Sequence, residues 1–336
     1  MENSNVNLNP VPVEWHTHYH SVNDHDNVGP PEFLIDGILQ RQAIMGIGAF
    51  IGQKKTLFAL NLVWSLCSGE PLFGRYKVTR KPSRVLYLGP ENGLISFASR
   101  VNKIGLREYL GKTFFYTTMS MPEKLPLTDL TLEEITGAVI FIDTAVRYTE
   151  GSENDASQMK VFADLAFSLI RDGAESVVLL HHSPKAMTKA TELTLENSFR
   201  GTGELTAFLS VALALKTQNM DDEYNSASLI RFVKQRDFEP TPASFEVKTS
   251  RETCRMTFAD GSDGASVRLS DKDGRQQEAD DIIRRNPSMS GAKLVIELAK
   301  AGIDRKKTWA CNRKNELRKL AYDGMQKTGE WPGKPS

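Results

Sequence analysis

Residues 48–57 combine a glycine-containing loop with two lysines and a threonine, which are the residue types that phosphate binding requires. The loop follows an apolar strand predicted over 43–47 and enters a helix predicted over 57–68. In such a P-loop, the helix N-terminus holds phosphates, a lysine reaches the β/γ oxygens and a hydroxyl binds Mg²⁺. By spacing, Lys55 and Thr56 take the last two roles. The predicted nucleotide-binding residues are Gly48, Ala49, Phe50, Ile51, Gly52, Gln53, Lys54, Lys55, Thr56 and Leu57.

The loop departs from the pattern GxxxxGK[ST]. Ala49 stands at the first glycine position, and Lys54 stands directly before the lysine. Lys54 is an alternative phosphate lysine, but no serine or threonine would then follow it. A basic loop whose Thr56 merely caps a helix explains the same residues without any ligand.

Two acidic residues follow other apolar strands. Asp143 ends the strand predicted over 138–142, and Glu91 follows the strand predicted over 84–88. Carboxylates at the carboxyl edge of a parallel sheet lie in its ligand-binding crevice. Asp143 is therefore predicted to hold Mg²⁺ through water, and Glu91 to polarise a water that attacks a phosphate. An acid at a strand end is also a common turn residue, so the prediction depends on the accompanying Lys55-Thr56.

A histidine pair ends a further strand, predicted over 177–180. His181 and His182 would lie at the same sheet edge, where a histidine can sense a γ-phosphate. Two structural histidines are the alternative.

The elements that position these residues alternate between short apolar runs and amphipathic stretches from residue 33 to about 260. This alternation predicts an α/β fold with a mainly parallel sheet covered by helices. Further strands are predicted over 114–117 and 210–215, and antiparallel additions over 228–233, 244–247 and 254–258.

The composition is that of a globular protein of 336 residues, with 42 basic and 42 acidic side chains. No apolar run reaches the roughly 18 residues of a membrane span, and the N-terminus lacks the layout of a signal peptide. Cys67, Cys254 and Cys311 form no metal-binding or disulfide pattern. We therefore expect a cytoplasmic protein without membrane contact.

Charge and composition divide the chain into four predicted parts. Residues 1–31 form a polar tail with four of the six histidines, residues 32–260 the α/β domain, residues 261–276 a Gly/Asp/Ser-rich linker, and residues 277–336 a basic domain. Alternating histidines could chelate a transition metal, but a disordered tail is the simpler interpretation.

The C-terminal domain is predicted to bind DNA. Residues 281–336 carry thirteen basic and six acidic side chains. Helices predicted over 278–285, 290–301 and 305–322, with a glycine turn before the basic third helix, have the spacing of a helix-turn-helix. A protein-docking domain with a solvated basic face is the alternative. The predicted DNA contacts are Arg305, Lys306, Lys307, Arg313 and Lys314.

Taken together, residues 33–250 resemble the RecA-like ATPases of the RepA hexameric helicase type, an AAA_25-like branch related to DnaB and RadA. The order and spacing of several segments carry this resemblance. They are Leu57-Phe58-Ala59-Leu60-Asn61-Leu62, Ser68-Gly69-Glu70-Pro71-Leu72-Phe73-Gly74, Val85-Leu86-Tyr87-Leu88 with Glu91, Ile142-Asp143-Thr144-Ala145-Val146-Arg147, Glu153-Asn154-Asp155-Ala156, Leu179-Leu180-His181-His182 and Phe199-Arg200-Gly201-Thr202.

The resemblance implies a RecA-like core with a role for each motif residue. Lys55 and Thr56 would bind phosphate and Mg²⁺, Glu91 would be the catalytic base, Asp143 the Walker B acid and His182 the γ-phosphate sensor. Lys234-Gln235-Arg236 resembles the family's KxR element, so Arg236, with Lys234, would reach the ATP of an adjacent subunit. An exposed Lys/Arg pair at a strand end is the alternative. Lys185 and Lys189 lie in a loop that would face single-stranded DNA in the ring, and an unspecialised surface loop is the alternative.

The expected function is that of a DNA-acting motor, a helicase-like ATPase that uses ATP and Mg²⁺. It would form a homo-oligomer, most simply a hexamer, with single-stranded DNA in the ring and duplex DNA on the C-terminal domain. A recombination or repair ATPase without unwinding, and an ATP-binding regulator of DNA replication, are the alternatives.

Overall fold

The computed structural model describes most of residues 28–259 and part of the C-terminal domain. The described residues are 20, 22, 26, 28–121, 123–149, 155–185, 187, 192–201, 203–217, 226–240, 242–259, 279–300, 308, 310–315 and 317.

A nine-stranded sheet forms the centre of the molecule, in the order β11-β10-β9-β8-β3-β7-β6-β4-β5. The six strands from β8 to β5 are parallel, whereas β9, β10 and β11 pair in antiparallel fashion at one side. Strands β1 and β2 form a separate two-stranded sheet. The strands are β1 Phe33–Ile35, β2 Leu39–Gln40, β3 Ala43–Ala49, β4 Arg84–Leu88, β5 Phe114–Thr117, β6 Ala138–Asp143, β7 Ser176–His182, β8 Val211–Thr217, β9 Ala227–Gln235, β10 Ser244–Thr249 and β11 Met256–Phe258.

Seven α-helices have both ends within the described part of the chain. They are α1 Lys55–Ser68, α2 Leu94–Ile104, α3 Leu132–Ile135, α4 Ala156–Arg171, α5 Leu195–Ser198, α6 Gly203–Phe208 and α7 Gly291–Lys300. No helix in the described part of the chain has the length and apolarity to cross a membrane.

The sheet is buried on both faces, because alternate strand residues pack against different helices. Val139 and Phe141 share a cluster with residues of α1 and α2, whereas Ile140 and Ile142 share one with residues of α4. Burying such a side chain fully contributes about 1.5–3 kcal/mol. The near-continuous apolar character of β6 is thus typical of a central parallel strand.

The predicted α/β class, mainly parallel sheet and antiparallel additions are confirmed. Every predicted strand is present with ends shifted by no more than a few residues, and β4 and β5 match exactly. Strands β1 and β2 were not predicted, because three and two residues are too short to show a period.

The described part of the C-terminal domain is helical at 279–285, at α7, and at 308, 310–315 and 317. Ser290 caps α7, since its hydroxyl accepts a hydrogen bond from the Lys293 N–H at 3.4 Å. Ile283, Leu294, Leu298, Ala310 and Leu317 share a small apolar cluster. The linker at 261–276 and most of the tail at 1–31 lie outside the described residues.

Candidate functional site

The carboxyl ends of β3, β4, β6 and β7 bring the predicted phosphate, acid and histidine motifs to one cleft. Parallel strands deliver the residues that follow them to the same sheet edge, so motif residues 127 positions apart, Lys55 and His182, become neighbours. The cleft has a volume of about 760 Å³. Its walls include Lys55, Thr56, Glu91, Asp143 and His182.

The phosphate loop turns sharply between β3 and α1. Gly52 has a φ of 82°, and Lys54, the residue before α1, has a φ of 61°, so both occupy the left-handed region. Glycine is needed at position 48 for another reason, because a Cβ there would lie 2.2 Å from the Ser198 carbonyl oxygen.

Seven of the ten predicted loop residues line the cleft. Gly48, Ala49 and Gln53 do not, since the first two are buried in β3 and the third is tied to β8. The seven are Phe50, Ile51, Gly52, Lys54, Lys55, Thr56 and Leu57.

Lys55 is buried at the first turn of α1, beside His182. Its Nζ lies 3.3 Å from His182 Nδ1. Burial lowers the pKa of the Lys55 ammonium, and the carboxylates of Asp143 and Glu91 partly offset this effect. An ammonium held among carboxylates in a concave site is well placed to bind an anionic ligand.

Asp143 is fixed by three donors to one oxygen. Its Oδ2 accepts hydrogen bonds from Thr56 Oγ1 at 2.8 Å, Tyr87 OH at 2.7 Å and Asn92 Nδ2 at 3.2 Å. Burial, together with the Asp143 carboxylate, raises the pKa of Tyr87 well above its usual value, so this phenol remains a donor. The carboxylate is therefore held in one orientation.

The residues present fit a magnesium ion. Thr56 and Asp143 offer oxygen donors, which this hard cation prefers, and Mg²⁺ usually keeps waters and substrate phosphates among its ligands. Within the described residues, no group of three or more His, Cys, Asp or Glu side chains is placed to hold a metal.

Both carboxylate oxygens of Glu91 are engaged. Oε1 forms an ion pair with Arg147 Nε, and Oε2 accepts a hydrogen bond from Thr144 Oγ1 at 3.2 Å. Thr144 and Arg147 directly follow the strand that carries Asp143. The two residues that hold Glu91, the predicted base, thus belong to the segment that directly follows Asp143, the predicted metal-side acid.

The two histidines that end β7 have separate environments. His182 is half-buried in the cleft, and burial lowers its pKa. His181 is buried elsewhere, with Nε2 at 2.6 Å from the Arg200 carbonyl oxygen and its ring stacked on Phe199. Burial lowers the pKa of His181 to about 4. His182 is therefore the histidine that can face a ligand, because successive strand residues point to opposite sides.

Lys234 and Arg236 lie at the opposite edge of the sheet from the phosphate loop. Strand β9 runs antiparallel to β8, so its last residue pairs with the first residue of β8. Lys234 Nζ donates to the Thr206 carbonyl at 2.6 Å, and Arg236 donates to the Ala207 carbonyl. From this position, Lys234 and Arg236 cannot reach the phosphate loop of their own chain. That Arg236 contacts the nucleotide of a neighbouring subunit stays a prediction.

The predicted DNA contacts are only partly within the described residues. Lys185 is exposed, whereas Lys189, Arg305, Lys306 and Lys307 lie outside the described residues.

Two predicted contacts hold the C-terminal helices together. Arg313 forms two hydrogen bonds with Asp280, at 2.8 and 2.6 Å, and Lys314 Nζ donates to the Met289 carbonyl at 2.7 Å. These two side chains therefore have a structural role that their basic character did not reveal, and their contact with DNA stays a prediction.

Sequence reasoning missed several residues of the site. Glu91 and Asp143 are held by Tyr87, Asn92, Thr144 and Arg147. The sequence hinted at this role only in that each of the four lies close to Glu91 or Asp143 in the chain. One wall of the cleft consists of Ser96, Ser99, Arg100 and Lys103. Their spacing, i, i+3, i+4 and i+7, is that of one face of an amphipathic helix, and it was the signal in the sequence that could have revealed this wall. Another part of the cleft is lined by Thr249, Ser250, Arg251 and Cys254.

The cleft carries a net positive charge. Five basic side chains line it, against the two carboxylates of Glu91 and Asp143. Cations concentrated in a concave site attract anionic ligands. The five are Lys54, Lys55, Arg100, Lys103 and Arg251.

Comparison with known proteins found matches in sequence and in structure. A family model described as an AAA domain matches residues 21–187. A solved structure of a DnaB-like replicative helicase, determined with its interactions with primase, has a TM-score of 0.54 at 12% identity, over 73% of this chain and 67% of that chain. A KaiC-like protein from Pyrococcus horikoshii OT3 has a TM-score of 0.46 at 13% identity, over 69% of this chain and 96% of that one. No curated protein sequence matches the chain.

Proposed function

We propose that this chain, whose core has a RecA-like fold, is a P-loop ATPase and a DNA-acting motor that couples ATP hydrolysis to movement on DNA or to its unwinding. The observation that carries the proposal is the convergence of Lys55, Thr56, Asp143, Glu91 and His182 on one cleft. Its DNA-acting part is supported by the fold likeness to a DnaB-like replicative helicase and by the basic C-terminal domain.

Each residue has a role that follows from its position. Backbone N–H groups of the loop and the N-terminus of α1 bind the phosphates, and Lys55 neutralises their charge. Thr56 and Asp143 would hold Mg²⁺, and the bound ion would supply positive charge next to the phosphate oxygens.

Glu91 activates the water that attacks the phosphate. This carboxylate accepts a proton from the attacking water, for which it has lone pairs beyond those used by Arg147 and Thr144. His182, which contacts Lys55, is placed to register the loss of the terminal phosphate.

Arg236 completes the site of an adjacent subunit in this proposal. Its guanidinium lies at the sheet edge opposite its own phosphate loop, so it can serve only another chain's nucleotide. A cation supplied in trans stabilises the transferring phosphoryl group and makes hydrolysis depend on assembly. A ring, most simply a hexamer, is the proposed assembly.

The first experiment measures ATP hydrolysis with and without single-stranded DNA. DNA-stimulated turnover should be present in the wild type and lost in Lys55→Ala, Glu91→Gln and Arg236→Ala. Lys160→Ala and Arg171→Ala, which remove exposed cations of α4, should retain it. A strand-displacement assay with the same proteins tests unwinding.

Mixing two inactive variants tests the shared site. Lys55→Ala lacks its own phosphate lysine, and Arg236→Ala lacks the group given to a neighbour, so a mixed assembly contains some interfaces with both residues intact. Turnover should reappear on mixing. If it does not reappear although the variants assemble together, Arg236 does not act in trans.

A nucleotide-gated DNA regulator is the second candidate function. The ion pair between Glu91 and Arg147 favours it, because that contact restrains the carboxylate proposed as the base. Wild-type protein that binds ATP without hydrolysing it under any DNA condition would support the regulator and refute the motor.

A further inference from the structure

Lys54 adopts a backbone conformation that normally favours glycine. Its φ and ψ are 61° and 21°, at the position directly before Lys55 and α1. A side chain in the left-handed region costs conformational energy, and such a residue persists where surrounding contacts hold it in place. A side-chain contact is therefore expected to hold Lys54 in this conformation.

That contact is made with a buried hydroxyl. Lys54 Nζ donates a hydrogen bond to Ser226 Oγ, and Ser226 is fully buried. The ammonium thus reaches across to the segment that precedes β9.

A second set of bonds joins the same loop to the end of β8. Gln53 Oε1 accepts a hydrogen bond from the Thr217 N–H, and Thr217 Oγ1 donates to the Gln53 carbonyl at 3.2 Å. Thr217 Oγ1 also lies 3.1 Å from Ser228 Oγ. Two adjacent loop residues therefore bind the last residue of β8 and the residue that directly precedes β9.

The segment that receives Lys54 is also linked to the cleft and to the far edge of the sheet. The Ser226 carbonyl accepts a hydrogen bond from Thr249 N–H at 3.4 Å, and Thr249 lines the cleft. Strand β9 starts directly after Ser226 and ends one residue before Arg236. The loop and Arg236 thus lie near the two ends of one strand.

We propose that Lys54 is a positioning residue that ties the phosphate loop to Ser226, and through it to the β8–β9 pair that carries Arg236. The proposal rests on the nucleotide-binding role of the loop in the proposed function. Lys54 acts on the nucleotide indirectly, by fixing the loop conformation in which Lys55 and the backbone N–H groups bind phosphate.

The test measures affinity for a fluorescent ATP analogue with Mg²⁺, using full-length protein that also carries Glu91→Gln so that hydrolysis does not interfere. Lys54→Ala and Ser226→Ala should each weaken binding about tenfold, since each removes the same hydrogen bond to a charged group. The double variant should bind no more weakly than either single variant, because the two residues act through one contact.

Matched variants separate this role from general damage. Ser228→Ala removes a neighbouring buried hydroxyl but leaves the Lys54–Ser226 contact, so it should bind nearly as well as the wild type. Lys54→Arg keeps a cationic donor and should retain most of the affinity. Lys54→Gly removes the backbone cost and the tether together, and it should still bind more weakly than the wild type.

Three results would overturn the proposal. Loss of affinity in Lys54→Ala but not in Ser226→Ala means that Lys54 binds the nucleotide directly. Wild-type or tighter binding by Lys54→Gly means that the side chain is merely tolerated. Additive losses in the double variant mean that the two residues act independently.

Lys55→Ala distinguishes this proposal from the proposed function. If that variant binds the analogue as well as the wild type, the phosphate-binding role of the loop fails. If Lys55→Ala loses binding while Lys54→Ala and Ser226→Ala do not, only the role of Lys54 fails.

Discussion

Tyr87→Phe removes a single hydroxyl beneath the proposed magnesium site. That hydroxyl donates to Asp143 Oδ2 at 2.7 Å, and Tyr87 is fully buried. The ring packs against Phe97 and Phe141, with centroids 5.1 and 5.8 Å away, and a phenylalanine keeps these contacts. The substitution therefore tests the hydrogen bond rather than the packing.

The expected losses follow from burial and charge. A hydrogen bond to a charged acceptor contributes about 1.5–3 kcal/mol, so the free energy of unfolding should fall by about that amount. Removing a group that orients a metal ligand typically costs about 10- to 100-fold in metal affinity. We expect the Mg²⁺ concentration for half-maximal ATP hydrolysis to rise within that range.

The assay is a Mg²⁺ titration of ATP hydrolysis at saturating ATP, paired with denaturant unfolding. Tyr148→Phe is the matched control, because the buried Tyr148 hydroxyl makes no hydrogen bond with the described residues. It should leave the Mg²⁺ dependence unchanged. Equal Mg²⁺ dependence of Tyr87→Phe and wild type would refute the positioning role of Tyr87.

Three further predictions concern stability and the C-terminal helices. Burial lowers the pKa of His181 from 6.5 to about 4, so between these pH values the unfolded chain binds more protons than the folded chain. The free energy of unfolding should therefore fall by up to about 3 kcal/mol as the pH drops through this window. His181→Gln should flatten that slope in denaturant unfolding followed from pH 7 to pH 4, and an unchanged slope would contradict the assignment. Gly48→Ala should destabilise the protein by about 1–3 kcal/mol, because its Cβ would lie 2.2 Å from the Ser198 carbonyl oxygen. Thermal unfolding measures this loss. Gly74→Ala, where a Cβ meets nothing within 4 Å, is the control that shows backbone strain without a clash. Arg313→Ala should increase amide hydrogen exchange in helix 279–285, because Asp280 loses its partner, whereas Arg284→Ala, at an exposed ion pair, should not.

Local sequence patterns predicted the fold because the order of apolar and polar residues in a short segment reflects which of its faces are buried. The apolar runs of β4 and β6 showed strands buried on both faces, and the motifs at their ends placed Glu91 and Asp143 correctly at one cleft. A parallel sheet brings strand ends together whatever the intervening loops are. That rule let spacing and strand order predict the grouping of the acids with Lys55 and Thr56.

The partners of these residues were decided by the tertiary structure. Tyr87 reaches Asp143 because their strands are neighbours in register, and Arg147 reaches Glu91 because the segments that follow these two neighbouring strands lie side by side. The structural roles of Arg313 and Lys314 likewise depend on how helices pack.

The sequence by itself determined the α/β class and the meeting of the strand-end motifs at one cleft, because residue type and period report on burial, and parallel strands end at the same side of a sheet. Only the tertiary structure decided that Lys54 binds Ser226, that His182 rather than His181 enters the cleft, and that Arg236 lies away from its own phosphate loop. These outcomes depend on side-chain direction and strand register between residues far apart in the chain, which no local pattern encodes.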